Sequence, residues 1–136
     1  MALESQLYIS KYAGRNAQAR PDIDDIVSWA SVKNPSISVT GALIFTGQHF
    51  AQILEGESET LDRLMASIAR DTRHEILKTF VRTQISGRSF PSWGLAYAGQ
   101  SHFVSGHIAR LITNGQATTT RRGERWLIEL MEEFSG

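Results

Sequence analysis

A chain of 136 residues with 41% hydrophobic and 21% charged side chains, 11 glycines and 3 prolines has the composition of one compact domain, neither disordered nor fibrous. Fourteen Lys and Arg balance fourteen Asp and Glu, so net charge draws the chain toward neither nucleic-acid phosphates nor an anionic membrane. The absence of cysteine excludes disulfides, thiol nucleophiles, iron–sulfur clusters and thiolate zinc sites.

Met1 to Gln6 lacks the basic-then-apolar pattern of a secretory leader, and no apolar run reaches the roughly 18 residues of a membrane span, so a cytoplasmic location is expected. Gln6 to Tyr12 is rich in β-favouring residues and ends at Ala13-Gly14-Arg15-Asn16, which predicts a first strand and a loop. After Pro21-Asp22, the spacing of Ile23, Ile26, Val27 and Ala30 predicts a helix, with Asp22, Asp24 and Asp25 at its positive end and Asn34-Pro35 stopping it. Ser38 to Thr46, a turn at Gly47-Gln48-His49, and Phe50 to Gly56 read as strand, turn, strand. Ser58 stands where an N-cap belongs, and Leu61, Leu64, Met65, Ile68 and Ala69 mark a second amphipathic helix running to Arg70–His74. Ile76 to Ser86 and Trp93 to Gly99 supply two further strands.

The order βαββαββ predicts an α+β, ferredoxin-like sheet with two helices on one face, over Leu7 to Gly99. A helical tail follows: Val104 to Asn114, then Glu124 to Phe134 with Trp126, Leu127, Leu130, Met131 and Phe134 on one stripe. Such a tail covers the sheet's second face or joins two protomers. The division expected is therefore 1–99 for the core domain and 100–136 for a cap or interaction segment.

Dinucleotide, Walker, zinc-protease and nucleophile-elbow motifs are all absent, and His49, His74, His102 and His107 never share metal-ligand spacing. No metal site and no enzyme are expected. What stands out is polarity inside apolar strands. Tyr8 and Ser10 share a face of the first strand, while Gln52 lies between Phe50 and Leu54, on the same side of its own strand as both. A buried glutamine left unpaired costs about 1–3 kcal/mol per group, so Gln52 needs partners, whether core neighbours or a ligand.

Tyr8-x-Ser10, Asn34 followed by Thr40-Gly41, Phe50-x-Gln52-x-Leu54-Glu55-Gly56, Asp71-x-Arg73-His74 and Arg88-x-Phe90-x-x-Trp93 resemble, in order, the signatures of BLUF domains, the sensors of blue light using flavin. The resemblance covers about Leu7 to Tyr97. It implies a non-covalently bound flavin, FAD with FMN or riboflavin as alternatives, held between the two helices without a phosphate loop. Ile26, Ala30 and Asn34 fall at successive four-residue steps, so a flat ring could pack on Ile26 while Asn34 meets its polar end; core packing and a helix cap are the competing roles. Phe50, Asp71, Arg73 and His74 complete the implied cofactor set, although an ion-paired helix end serves Arg73 equally well.

By the same resemblance, Gln52 bridges Tyr8 and the flavin. Excitation by blue light makes the flavin an oxidant, Tyr8 gives up an electron and a proton, and after recombination Gln52 returns in a different orientation or tautomer. Trp93 sits close to Gln52 or turns outward. Two residues after it, where the family usually has methionine, this chain has Leu95, which lacks the thioether acceptor. No covalent bond is required, in keeping with a chain without cysteine.

A stand-alone sensor of this kind passes its signal to a separate effector protein through the Trp93–Leu95 strand and the tail, and a homo-oligomer, dimer or larger, is expected. Two other readings stand beside it. One is a BLUF-derived interaction module with impaired photochemistry; the other is an acylphosphatase-like hydrolase using Ala13-Gly14-Arg15-Asn16.

Overall fold

The computed structural model describes residues 2–14, 20–98, 102–113 and 117–135. Its elements are β1 (Leu3–Tyr12), α1 (Arg20–Ser36), β2 (Thr40–Phe45), β3 (His49–Glu57), α2 (Ser58–Ala69), β4 (His74–Thr79), β5 (Thr83–Ile85), β6 (Trp93–Ala98), α3 (His102–Thr113) and α4 (Ala117–Ser135). The strands form one sheet in the order β4-β1-β3-β2-β6, with β5 also beside β1. All pairs are antiparallel except β2 with β6, the parallel pair that brings the last strand to the edge. The α+β, ferredoxin-like reading holds, with two helices added at the end.

Strand alternation sorts the side chains into two apolar layers. On one face Tyr8, Leu43, Phe50, Leu54 and Trp93 pack with Ile23 and Ala30 of α1 and Leu61 and Leu64 of α2. On the other, Leu7, Ile9, Ala42, Ile44, Ala51 and Ile53 pack with Val104, Ile108 and Leu111 of α3 and Leu127 and Met131 of α4. The tail thus covers the second face, one of the two roles expected of it. Of its predicted stripe, Leu127 and Met131 are fully buried and Trp126 and Leu130 partly so; the Phe134 side chain lies outside the described residues. Lys78 of β4 adds a polar tie, donating to the carbonyl of Leu111 at 3.0 Å.

Several boundaries differ from the sequence reading. Pro35 does not stop α1 but lies in its last turn. Its ring removes one intrahelical donor there, and the Asn34 carbonyl closes the end by accepting the N–H groups of Ile37 at 3.2 Å and Val39 at 2.9 Å. Ser58 is the first residue of α2 rather than its cap; the cap position is Glu57, which makes no side-chain capping bond. The expected strand from Ile76 to Ser86 is two strands, broken where Phe80 turns into the tail-side core and its N–H donates to Leu7. The helix expected from Glu124 begins at Ala117. Threonines and a glycine hid that first half, and Gly123 is needed there because a Cβ would meet the Leu111 side chain where α3 and α4 touch. Arg15, Asn16, Gly99 and Gln100, which bear on the hydrolase loop and the expected domain boundary, lie outside the described residues.

Gly41 has a comparable constraint. Its φ is +149°, and a Cβ would run into the backbone carbonyl of Ile53 on the neighbouring strand. Gly41→Ala is expected to destabilise the fold by about 2–4 kcal/mol, read as a lower urea midpoint with an unchanged slope.

Candidate functional site

The β1–β3 register sets Tyr8 directly opposite Gln52, and the β2–β3 register sets Leu43 on its other side. Both Tyr8 and Gln52 are buried. Gln52 Nε2 donates to the Tyr8 hydroxyl at 2.5 Å, and Trp93 Nε1 donates to Gln52 Oε1 at 2.9 Å. An indole N–H can only donate, so Trp93 fixes which end of the amide faces which neighbour. The buried position of Trp93 answers the inward-or-outward alternative in favour of the inward one for this structure.

A cavity of about 370 Å³ opens between α1, α2 and the sheet. This lies within the ~300–1,000 Å³ of small-molecule and cofactor sites. Tyr8, Ile26, Ala30, Asn34, Phe50, Gln52, Asp71, Arg73 and His74 all line it, so the residues singled out in the sequence as a cofactor set share one space. Trp93 stands behind Gln52, and Leu95 packs into the same apolar layer. Trp29, Leu43, Leu64, Ser67, Ile68 and Arg70 also line the cavity and were not singled out. Leu64 and Ile68 were legible only as core positions of α2. For Trp29, half exposed where it lines the cavity, the sequence held no signal.

The cavity floor at the α2–β4 connection is held by polar bonds. Arg73 grips the Asp71 carboxylate through Nε at 2.9 Å and Nη2 at 2.6 Å, while its backbone N–H donates to Oδ1 at 3.0 Å. This guanidinium holds the Asp71 carboxyl below the usual carboxylate range against the opposing effect of burial, and Asp71 in turn raises Arg73. Arg73 therefore has the ion-paired role weighed for it, at the cavity wall. His74 places Nε2 2.8 Å from the Ile68 carbonyl and Nδ1 2.7 Å from Ser10 Oγ. A carbonyl only accepts, so the neutral ring carries its proton on Nε2 and Ser10 donates to Nδ1. Burial pushes the Tyr8 phenol well above its ordinary pKa, partly offset by the Gln52 hydrogen bond and reinforced by the Asp71 charge. Tyr8 thus keeps its proton throughout the neutral range.

Residues 3–96 match the family model described as BLUF, sensors of blue-light using FAD. The chain belongs to the BLUF family. The photoactivated adenylate cyclase subunit beta of Euglena gracilis is 30% identical over 112 residues, covering 82% of this chain and 12% of that protein. The blue light- and temperature-regulated antirepressor BluF of Escherichia coli strain K12 is 34% identical over 73 residues, 54% of this chain and 18% of that one. The BLUF chain therefore spans only a small part of the length of these curated relatives. Among solved structures, the dark state of the BLUF protein BlrB superposes with a TM-score of 0.75 at 26% identity, over 97% of this chain and 96% of that one. The BlrP1 BLUF structure gives 0.67 at 28% identity, over 96% and 90%.

The cavity fits the ring that BLUF domains hold. Asn34 is buried in its wall, and its Oδ1 has no hydrogen-bond partner among the described residues. An unpaired buried carbonyl is costly, and an N–H at the edge of a heterocycle in this space would satisfy it. Ile26, Ala30, Leu64 and Ile68 offer apolar walls for the faces of a flat ring. No helix among the described residues is long and apolar enough to cross a membrane.

Proposed function

We propose that this BLUF chain is a blue-light receptor, not itself an enzyme, that holds FAD or a shorter flavin in the cavity and signals by reversing the Gln52 amide. The observation that carries this reading is that amide, wedged in the cavity wall between the Tyr8 hydroxyl and the Trp93 indole. A bound flavin supplies absorption of blue light and, once excited, a strong one-electron oxidant. Asn34, Ile26, Ala30 and Phe50 would hold the ring, with His74 and the Asp71–Arg73 pair closing the far wall. Because the chain has no cysteine, it offers no thiol for a covalent adduct.

Tyr8 is the group placed to give up an electron together with its proton, since burial keeps it protonated. Gln52 is the group placed to change. In the present orientation its N–H₂ donates to Tyr8. Reversed, its carbonyl accepts the Tyr8 proton and its N–H₂ faces the indole N–H of Trp93, donor against donor. Reversal therefore frees Trp93 from Gln52, and with it the β6 edge that lies against β2. That edge, and the α4 helix packed beside it, form the route to a partner. The partner is a separate effector protein, or a second copy of this chain in a dimer or larger homo-oligomer. Two relatives, a photoactivated adenylate cyclase subunit and a blue light-regulated antirepressor, support light-dependent signalling as the role of this chain.

The test is an absorption spectrum of the purified protein in the dark, after a blue flash and during dark recovery. A yellow protein whose band moves slightly to the red and returns is the expected result. A yellow protein that does not shift favours the impaired module and directs attention to Leu95; a colourless one overturns the reading.

A further inference from the structure

Glu55 lies three residues beyond Gln52 on β3 and is fully buried, yet it faces away from the cavity. Its Oε1 accepts the Thr40 hydroxyl at 2.8 Å and the Phe90 N–H at 3.1 Å, while Oε2 accepts the Ser89 N–H at 2.8 Å. Arg88 completes the arrangement from outside. Its Nη1 donates to Thr40 Oγ1 at 2.9 Å and to the Glu55 carbonyl at 3.0 Å, and its Nη2 donates to the Ser38 carbonyl at 2.8 Å. Thr40 thus relays between the guanidinium and the buried carboxylate, which never touch directly. The chain then runs from Phe90, itself buried, through Ser92, whose carbonyl accepts the Gly41 N–H at 3.0 Å, into β6, where Trp93 reaches Gln52.

We infer that Glu55 is a positioning residue for the Trp93–Gln52 hydrogen bond, resting on the reading of Gln52 as the switch. A buried carboxylate is retained at considerable desolvation cost, and here every bond it accepts bears on the entry to β6 or on the strand that entry joins. Both residues that set the amide's surroundings, Tyr8 opposite and Trp93 from the edge, are then referenced to β3: one through the ladder, the other through Glu55. Glutamine at this position keeps the shape but has one acceptor oxygen, and its N–H₂ would face the amide donors of Ser89 or Phe90.

The test uses the full chain, labelled with ¹⁵N, and follows hydrogen exchange of the three indole N–H groups in the dark. In Glu55→Gln the Trp93 indole is expected to exchange at least about fivefold faster, the size of one ordinary hydrogen bond, while Trp126 in the tail is unchanged. Thr40→Val, which removes the relay and one donor to the carboxylate while leaving Glu55 itself in place, is expected to act in the same direction and supplies the answer if Glu55→Gln does not fold. Dark recovery of the red-shifted state is then measured in Glu55→Gln, in Trp93→Phe and in the double variant. If Glu55 acts through Trp93, its effect on recovery disappears in the Trp93→Phe background. An unchanged Trp93 exchange rate in a folded variant, equal acceleration at Trp126, or a recovery effect that persists without the indole overturns the assignment. Absence of any light-induced shift in the parent chain overturns the functional reading instead, and leaves the exchange result intact.

Discussion

Replacing Gln52 with leucine is expected to leave a yellow protein whose absorption band no longer moves in blue light. Leucine has nearly the bulk of the amide and stays compatible with the apolar layer of Phe50 and Leu54, so the cavity keeps its shape. What disappears is the group hydrogen-bonded to both Tyr8 and Trp93. The Tyr8 hydroxyl loses its donor and the Trp93 indole its acceptor, each buried, which costs about 1–3 kcal/mol apiece if no water replaces the amide. The light-minus-dark difference spectrum should fall to the baseline while flavin remains bound after gel filtration. Tyr8→Phe should remove the shift in the same way, because it withdraws the proton that the reversed carbonyl would accept. A reversible shift of ordinary size in either variant would show that the Tyr8–Gln52 pair is not the switch.

Removing residues 100–136 is expected to have the second-largest effect, on solubility rather than on colour. Val104, Ile108, Leu111, Leu127 and Met131 are almost completely buried against the sheet. At about 1.5–3 kcal/mol for each fully buried side chain, their gross contribution is about 8–15 kcal/mol. That is comparable with the whole net stability of a typical domain, ~5–15 kcal/mol. It also leaves Leu7, Ile9, Ala42, Ile44, Ala51 and Ile53 as one continuous apolar surface, of the kind that associates. Aggregates in gel filtration are the expected outcome, with flavin retained in whatever fraction stays folded, since the cavity lies on the opposite face. A soluble, monodisperse truncated chain would mean that the tail is an independent appendage.

Part of the cavity was legible because its polar members interrupt apolar patterns, whereas Phe50, Asp71, Arg73 and His74 entered only through the motif resemblance. Gln52 in a strand of core residues and Asn34 on the apolar side of a helix are anomalies that a periodic reading exposes. Trp29 and Arg70 produce no such anomaly, being ordinary on a helix surface and at a helix end, and only the packing of α1 beside α2 gives them a common space. Glu55 was visible as part of a motif but carried no role, although an acidic residue in the run His49–Glu57 is as anomalous as Gln52. Its backbone partners, Ser89 and Phe90, come from a segment more than thirty positions away, and no local spacing reveals them. Pro35 shows the opposite failure. The rule that proline ends a helix is about lost hydrogen bonds, and in a final turn there is little left to lose.

The ladder registers align Thr79, Tyr8, Gln52, Leu43 and Leu95 in one row across five strands. A row at right angles to the chain has almost no slack, because neighbouring strands are held about 4.8 Å apart by their own hydrogen bonds. Of its members, Tyr8, Gln52 and Leu43 line the cavity, and Leu95 packs in the same apolar layer. Leucine and methionine are close in volume, so Leu95 preserves the bulk at the end of the row that the usual methionine supplies. It changes only the polarity, withdrawing a weak sulfur acceptor from the strand that carries Trp93. The row is therefore altered in what it can bind and not in how tightly it is filled; on the reading proposed above, the consequence of Leu95 falls on the recovery of the switched state rather than on the shape of the site.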